Sequence, residues 1–166
     1  MTHLYIDLEW FLNQQIFLIG YGYSISDSKQ IFGKRISKKA IYDILKPVDG
    51  YIFFYGPDIG MLEKHFGINI RNKYKCINLL RVFRNSSPGL PSYRLSDFEI
   101  RYGIKRSNPE YKQNIFKMMH DWNNPHKRKH ALKYNLEDVQ NLIRVQKKFF
   151  KEHNLRFSDL DKFCMR

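Results

Sequence analysis

Leu4-Tyr5-Ile6-Asp7-Leu8-Glu9-Trp10 is the stretch on which the reading of this chain turns. It alternates with the period of a β-strand. Leu4, Ile6, Leu8 and Trp10 fall on one face, and Asp7 and Glu9 on the other. A strand rises about 3.3 Å per residue, so the two carboxylates stand roughly 6.6 Å apart at their bases and their oxygens can converge. Paired carboxylates without a cation repel, and one of them tends to keep its proton. Strand acids often simply face solvent. Here the flanking residues are strongly apolar, which suggests a central strand and a divalent metal.

Working outward, residues 15–24 read as a second strand after a polar turn at Leu12-Asn13-Gln14, and residues 29–33 as a shorter third. The three are expected to pair as an antiparallel meander. A helix is expected from Ser37, its cap, to about Lys46. Tyr51-Ile52-Phe53-Phe54-Tyr55 is a continuous apolar run, as in a strand buried on both faces. A helix follows from Pro57 to near Gly67, and Lys75-Cys76-Ile77-Asn78-Leu79 reads as a fifth strand. Residues 85–92 read as a surface loop, then helices at 93–102, 109–122 and 128–152, with a weakly patterned tail. Strands paired with helices, followed by helices alone, predict an α/β core with a helical C-terminal part in a single domain over residues 1–166.

The chain has 166 residues, of which 43% are hydrophobic, enough for a core without disulfides. Cys76 and Cys164 show no metal-ligand spacing and read as reduced thiols. No signal peptide and no membrane-length apolar run is visible, so a cytoplasmic protein with no membrane partner is expected. The formal net charge is +13, from 29 Lys+Arg against 16 Asp+Glu, which points to a nucleic-acid partner or to a merely solvated basic surface.

Three further residues carry chemistry. Asp58 sits at a strand-to-helix junction, where ligands bind in open α/β sheets; standing alone, it reads as a helix cap. Tyr134 and Asp138 are four residues apart and share a helix face. That helix has two apolar stripes. One is Leu132, Leu136, Val139, Ile143 and Phe150. The other is Ala131, Tyr134, Leu142, Val145 and Phe149, which Asp138 interrupts. A helix packed on both sides buries Asp138, and a buried carboxylate needs a partner, a cation or a proton.

In this order the residues resemble the DEDD exonucleases of the ribonuclease-H-like superfamily, in the branch with a tyrosine in the third motif (DEDDy), and within it the small YprB-like exonucleases. The matching segments are Tyr5-Ile6-Asp7-Leu8-Glu9, Phe54-Tyr55-Gly56-Pro57-Asp58-Ile59 with Leu62, and Tyr134-Asn135-Leu136-Glu137-Asp138-Val139. Tyr93-Arg94-Leu95-Ser96-Asp97-Phe98 through Gly103-Ile104-Lys105-Arg106 is also similar, so the likeness covers about residues 3–150. It implies a mixed five-stranded sheet, three strands antiparallel and the others parallel, flanked by helices. It also implies metal-dependent 3′-to-5′ exonuclease activity. Asp7, Glu9, Asp58 and Asp138 would hold two divalent ions, and Tyr134 would orient or help deprotonate the attacking water. Many relatives place a His-Asn or similar pair before the second-motif glycine, where this chain has Phe54-Tyr55.

Phosphodiester hydrolysis suits such a set. Two metals about 4 Å apart activate water, neutralise the phosphate and stabilise the leaving oxygen. Hard oxygen ligands favour Mg²⁺ or Mn²⁺. Setting the four acids aside leaves 12 of the 16 against 29 basic residues, so the site lies in a very basic surface. Lys127, Arg128 and Lys129, one turn before Tyr134, read either as the leading strand contacts or as a solvated helix start, and Arg94, Lys105 and Arg106 are weaker candidates. Tyr55 is placed either to stack on a terminal base or in the core. The expected activity is 3′-to-5′ exonuclease action on single-stranded 3′ ends, DNA slightly favoured over RNA. The alternatives are an inactive nucleic-acid-binding module and an endonuclease on the same fold.

Overall fold

The computed structural model describes residues 1–112 and 114–165. Five strands form one sheet: β1 (Leu4–Trp10), β2 (Ile16–Gly22), β3 (Ser28–Phe32), β4 (Tyr51–Phe54) and β5 (Lys75–Asn78). Their order is β3-β2-β1-β4-β5. The first three are an antiparallel meander, with Asp7 opposite Gly20 and Ile19 opposite Ile31. β4 runs parallel to β1, and β5 parallel to β4. The parallel pairs are reached by crossover helices. These are α1 (Lys38–Leu45), capped by the Ser37 hydroxyl that accepts from the Ala40 amide at 3.2 Å, and α2 (Asp58–Phe66). α2 ends at Gly67 in the left-handed conformation, φ 58°, which glycine adopts without steric cost.

The helical part comprises α3 (Leu79–Ser86), α4 (Leu95–Arg101), a short 3-10 turn (Pro109–Lys112), α5 (Ile115–Asn123) and α6 (Arg128–Glu152). Two expectations change. α3 follows β5 without a loop; its buried residues Leu79, Val82 and Phe83 are spaced for one helix face, and Asn78 caps it through the Leu80 amide at 3.1 Å. The helix expected over 109–122 is divided: the 3-10 turn stops at Lys112, Gln113 lies outside the described residues, and Asn114 caps α5 by accepting from the Lys117 amide at 3.0 Å. An asparagine cap inside a periodic segment starts a new helix rather than continuing the old one.

The sheet has helices on both faces. Leu4, Ile6, Leu8, Ile52 and Phe54 pack with α1 and α2 residues such as Ile41, Leu45, Ile59 and Leu62. The opposite registers, Tyr5, Phe53 and Ile77, pack against Val82, Phe83 and Phe98 and against Val139, Leu142, Ile143 and Phe149 of α6. α6 is therefore buried on both of its stripes. Polar ties fix its height over the sheet. The Tyr5 hydroxyl donates to Gln146 Oε1 at 2.8 Å, deep in the core. Gly20 makes the closest approach possible, because a Cβ there would lie 2.4 Å from Asn135 Oδ1 and 2.8 Å from Val139 Cγ2. No helix of the described residues is long and apolar enough to cross a membrane.

Candidate metal centre

Asp7 and Glu9 occupy the β1 face that looks toward α6, near the carboxyl end of the strand. Asp138 comes down from α6, which crosses that face. One carboxylate oxygen from each of Asp7, Glu9 and Asp138 lies within 4.8 Å of the other two. Asp58 opens α2 just past the carboxyl end of β4, the strand beside β1. It stands outside that tight trio, yet it interacts electrostatically with Asp7, Glu9 and Asp138. All four acids expected from the sequence thus face one region. Glu9, Asp58 and Asp138 are buried, and Asp7 keeps part of its surface.

Each acid is held by its neighbours. Asn135, one turn below Asp138, donates to Asp7 Oδ2 at 2.8 Å, and Gln30 of β3 donates to Asn135 Oδ1 at 2.8 Å. The loop before Asp58 is clasped by Asn78, which donates to the Gly56 carbonyl at 2.8 Å and accepts from the Gly56 amide at 3.2 Å. Gly56 itself has φ 89°, a conformation that favours glycine.

The electrostatics are unbalanced. Burial, and then the charge of Asp138, push Asp7 up to about 8. Burial and Asp7 raise Glu9 and Asp58 well above the carboxylate range. Asp138 goes the other way: burial pushes it up, but Lys112 and Arg106 outweigh that and hold it low. Lys112 Nζ is 2.8 Å from Asp138 Oδ1, and Arg106 bridges Asp138 and Glu99 through Nη2. The Tyr134 phenol is buried between these groups. Burial first, and then Asp138 and Glu9, drive its pKa upward, so it stays protonated. Arg106 and Lys112 lie over its ring, 5.2 and 5.4 Å from the centroid, and Tyr111 meets it edge-on at 5.3 Å.

The donor set fits a divalent ion. Every first-line atom is a carboxylate oxygen, as hard cations require. Asp58 Oδ2 is buried and has no hydrogen-bond partner among the described residues. Buried acceptors are normally satisfied, and an ion between the acids would satisfy this one while relieving the repulsion that adds to burial in raising Asp7 and Glu9.

The basic and aromatic residues singled out from sequence are dispersed. Arg94 is exposed just before α4. Lys127 and Lys129 are exposed at the start of α6, with Lys127 Nζ 3.9 Å from Asp121. Arg128 is engaged internally: Nε donates to the Trp122 carbonyl at 2.9 Å and the guanidinium lies 5.1 Å from the Trp122 ring centroid. Tyr55 is half-buried, packs against Phe83, and its hydroxyl donates to the Tyr93 carbonyl. Sequence reasoning passed over Lys112, Asn135, Gln30 and Asn78. Only Asn135 left a trace, as a polar residue beside an apolar stripe; the others act through contacts distant in the chain.

A β3-β2-β1-β4-β5 sheet with acids beside the ends of its two central parallel strands and on the helix that crosses them defines the ribonuclease-H-like class. The chain belongs to the RNase_H superfamily, whose family match spans residues 4–150. A structure described as the apo form of a nuclease aligns over 97% of this chain and 82% of its own, with a TM-score of 0.66 and 15% identity. A family B DNA polymerase from the hyperthermophilic archaeon Pyrobaculum calidifontis aligns over 90% of this chain, with a TM-score of 0.65 and 14% identity. The match spans only 24% of the polymerase. At these identities both likenesses concern the fold. No curated protein matches this chain by sequence.

Proposed function

We propose that this protein is a nuclease that hydrolyses phosphodiester bonds, and specifically a 3′-to-5′ exonuclease acting on single-stranded ends, with DNA slightly favoured over RNA. The observation that carries the reading is the convergence of Asp7, Glu9 and Asp138, with Asp58 beside them, from three separate elements of an RNase_H-superfamily chain. Asp7, Glu9, Asp58 and Asp138 would hold two divalent ions, Mg²⁺ or Mn²⁺. When bound, such ions activate water and neutralise charge at phosphorus and at the leaving oxygen.

The chain's own groups do the rest. Asn135, held by Gln30, keeps Asp7 aimed. Asn78 holds the turn from which Asp58 projects. Tyr134, kept neutral, serves as a hydrogen-bond donor that orients the attacking water rather than as a base. Arg106 and Lys112 bring fixed positive charge to the edge of the acid cluster, where a phosphate must approach. Arg94, Lys127 and Lys129 are exposed and suit backbone contacts along the strand. Tyr55 and Arg128 share that role only through the surface their internal contacts leave open.

The test is cleavage of an end-labelled single strand with Mg²⁺ or Mn²⁺. Mononucleotides should appear from the 3′ end, Asp7→Ala should abolish them, and Tyr134→Phe should slow release about 10²-fold or more. Undiminished cleavage by Asp7→Ala protein would sink the proposal. Cleavage of a circular strand would indicate an endonuclease. A second reading rests on Asp138 already carrying two cations of the chain. It makes this a self-neutralised, non-catalytic nucleic-acid-binding module, and predicts metal-independent binding with no product.

A further inference from the structure

Beside Asp138, on the far side of Arg106 and Lys112 from the acid cluster, α4 and the segment 104–112 enclose a pocket of about 460 Å³. That is within the size range of small-molecule sites. Four cationic side chains line it: Arg94, Lys105, Arg106 and Lys112. Two carboxylates also line it, Asp97 and Glu99. Glu99 is spoken for, because Arg106 Nε and Nη2 both donate to it and Asn141 donates to it at 3.3 Å. Arg106 and Lys112 are balanced by Glu99 and Asp138, so the uncompensated cations are Arg94 and Lys105 at the rim, opposed by Asp97, with apolar area from Ile104 and Ile100.

Two features tie this pocket to an anionic ligand. Arg106 is almost fully enclosed, its side chain 5% exposed, and its Nη1 is buried with no hydrogen-bond partner among the described residues. A buried donor without an acceptor costs desolvation free energy, which an oxygen ligand would relieve once a small shift of the Arg106 side chain brought Nη1 to it. In addition, Arg106 and Lys112 both reach Asp138, so the pocket and the acid cluster share a wall.

We infer that this pocket is a nucleotide subsite: it takes the phosphate and sugar of the nucleotide adjoining the bond held at the acid cluster. The inference rests on the nuclease reading and extends it. Lys105 and Arg94, both exposed at the rim, capture the phosphate, and the Arg106–Lys112 wall sets its distance from Asp138. Ile104 and Ile100 give the sugar or base an apolar surface. A strand engaged in both places is held on either side of Asp138, and the exposed guanidinium fork of Arg94 matches the spacing of two phosphate oxygens.

The experiment uses the full chain in EDTA, where no divalent ion can bridge a phosphate to the acid cluster. Thymidine 5′-monophosphate is titrated and binding is followed by NMR shifts or calorimetry. The paired change Arg94→Glu, Lys105→Glu should weaken binding at least tenfold. Lys73→Glu, ahead of β5 and no part of this pocket, should leave it unchanged. Asp97→Asn removes a repelling carboxylate and should tighten binding, an outcome that misfolding cannot imitate. Equal binding by the paired variant, no gain from Asp97→Asn, or no binding by the parent protein overturns the subsite. Failure of the nuclease reading shows separately, as cleavage that survives Asp7→Ala.

Discussion

Asp7 is the residue at which the proposed function and stability conflict. Its carboxyl is raised to about 8 by burial and by Asp138, while an unfolded chain would titrate it near 4. An acid with a raised native pKa is protonated in the folded chain after the unfolded chain has released its proton. Its contribution to stability is therefore complete below about pH 4 and is lost as pH rises toward about 8. Asp7→Asn keeps the hydrogen-bonding shape and removes the charge. In chelator, this variant should melt higher than the parent at pH 8, by an amount on the order of a few kcal/mol, and the gap should close toward pH 4. Thermal melts of both proteins across that range check it; a gap that does not depend on pH would contradict the account. The same variant should bind Mn²⁺ at least tenfold more weakly. Asp7 was legible as a candidate because its apolar neighbours on β1 mark a central strand. Lys112, which meets Asp138 on α6, left no mark, since nothing local to residue 112 distinguishes it from the chain's other lysines.

Among the elements, α6 carries the most of the proposed site. Its two buried stripes were readable from spacing alone, and with them the burial of Asp138. Its height above the sheet was not. That height depends on Gly20 of β2, opposite Asp7, where the absence of a side chain admits Asn135 and Val139. Gly20→Ala would place a Cβ 2.4 Å from Asn135 Oδ1. Either Asn135 leaves Asp7 or the helix lifts. Urea unfolding should show a loss of about 1–3 kcal/mol, and Mn²⁺ affinity should fall with it because Asp7 and Asp138 no longer converge. Retention of both would mean that this close approach is not needed. α3 shows the opposite case of legibility: Val82 and Phe83 are strand-forming residues as well as core-facing ones on the helix, and packing against the sheet selects the helix.

For the whole molecule, the formal charge of +13 predicts salt-sensitive binding to single-stranded nucleic acid. Each phosphate contact contributes about 0.7 to the slope of log affinity against log salt. Lys127→Glu with Lys129→Glu should lower that slope by roughly 1–2, with melting temperature nearly unchanged because both side chains are exposed. Titrations at several salt concentrations on an uncleavable strand provide the check. An unaltered slope would remove the start of α6 from the strand's path and leave the α4 side as the principal basic surface.

The sequence by itself determined most of the local elements, α3 excepted, and marked the four acids as candidates. Alternation set β1, the Ser37 and Gly67 caps bounded α1 and α2, and two stripes defined α6. Each of these signals comes from residues within a few positions of one another, where backbone geometry alone decides which faces are shared. The tertiary structure decided which acids meet and what holds them. Asp7 and Asn135 are 128 residues apart, and Arg106 and Asp138 are 32 apart. Such contacts depend on strand order, on the crossing of α6 over β1 and on the space left at Gly20. Coulomb forces act between groups brought close in space, whatever their separation in the chain. So the spacing of Asp7 and Glu9 could suggest a metal, but only the fold could set Asp138 against them and Lys112 and Arg106 against Asp138.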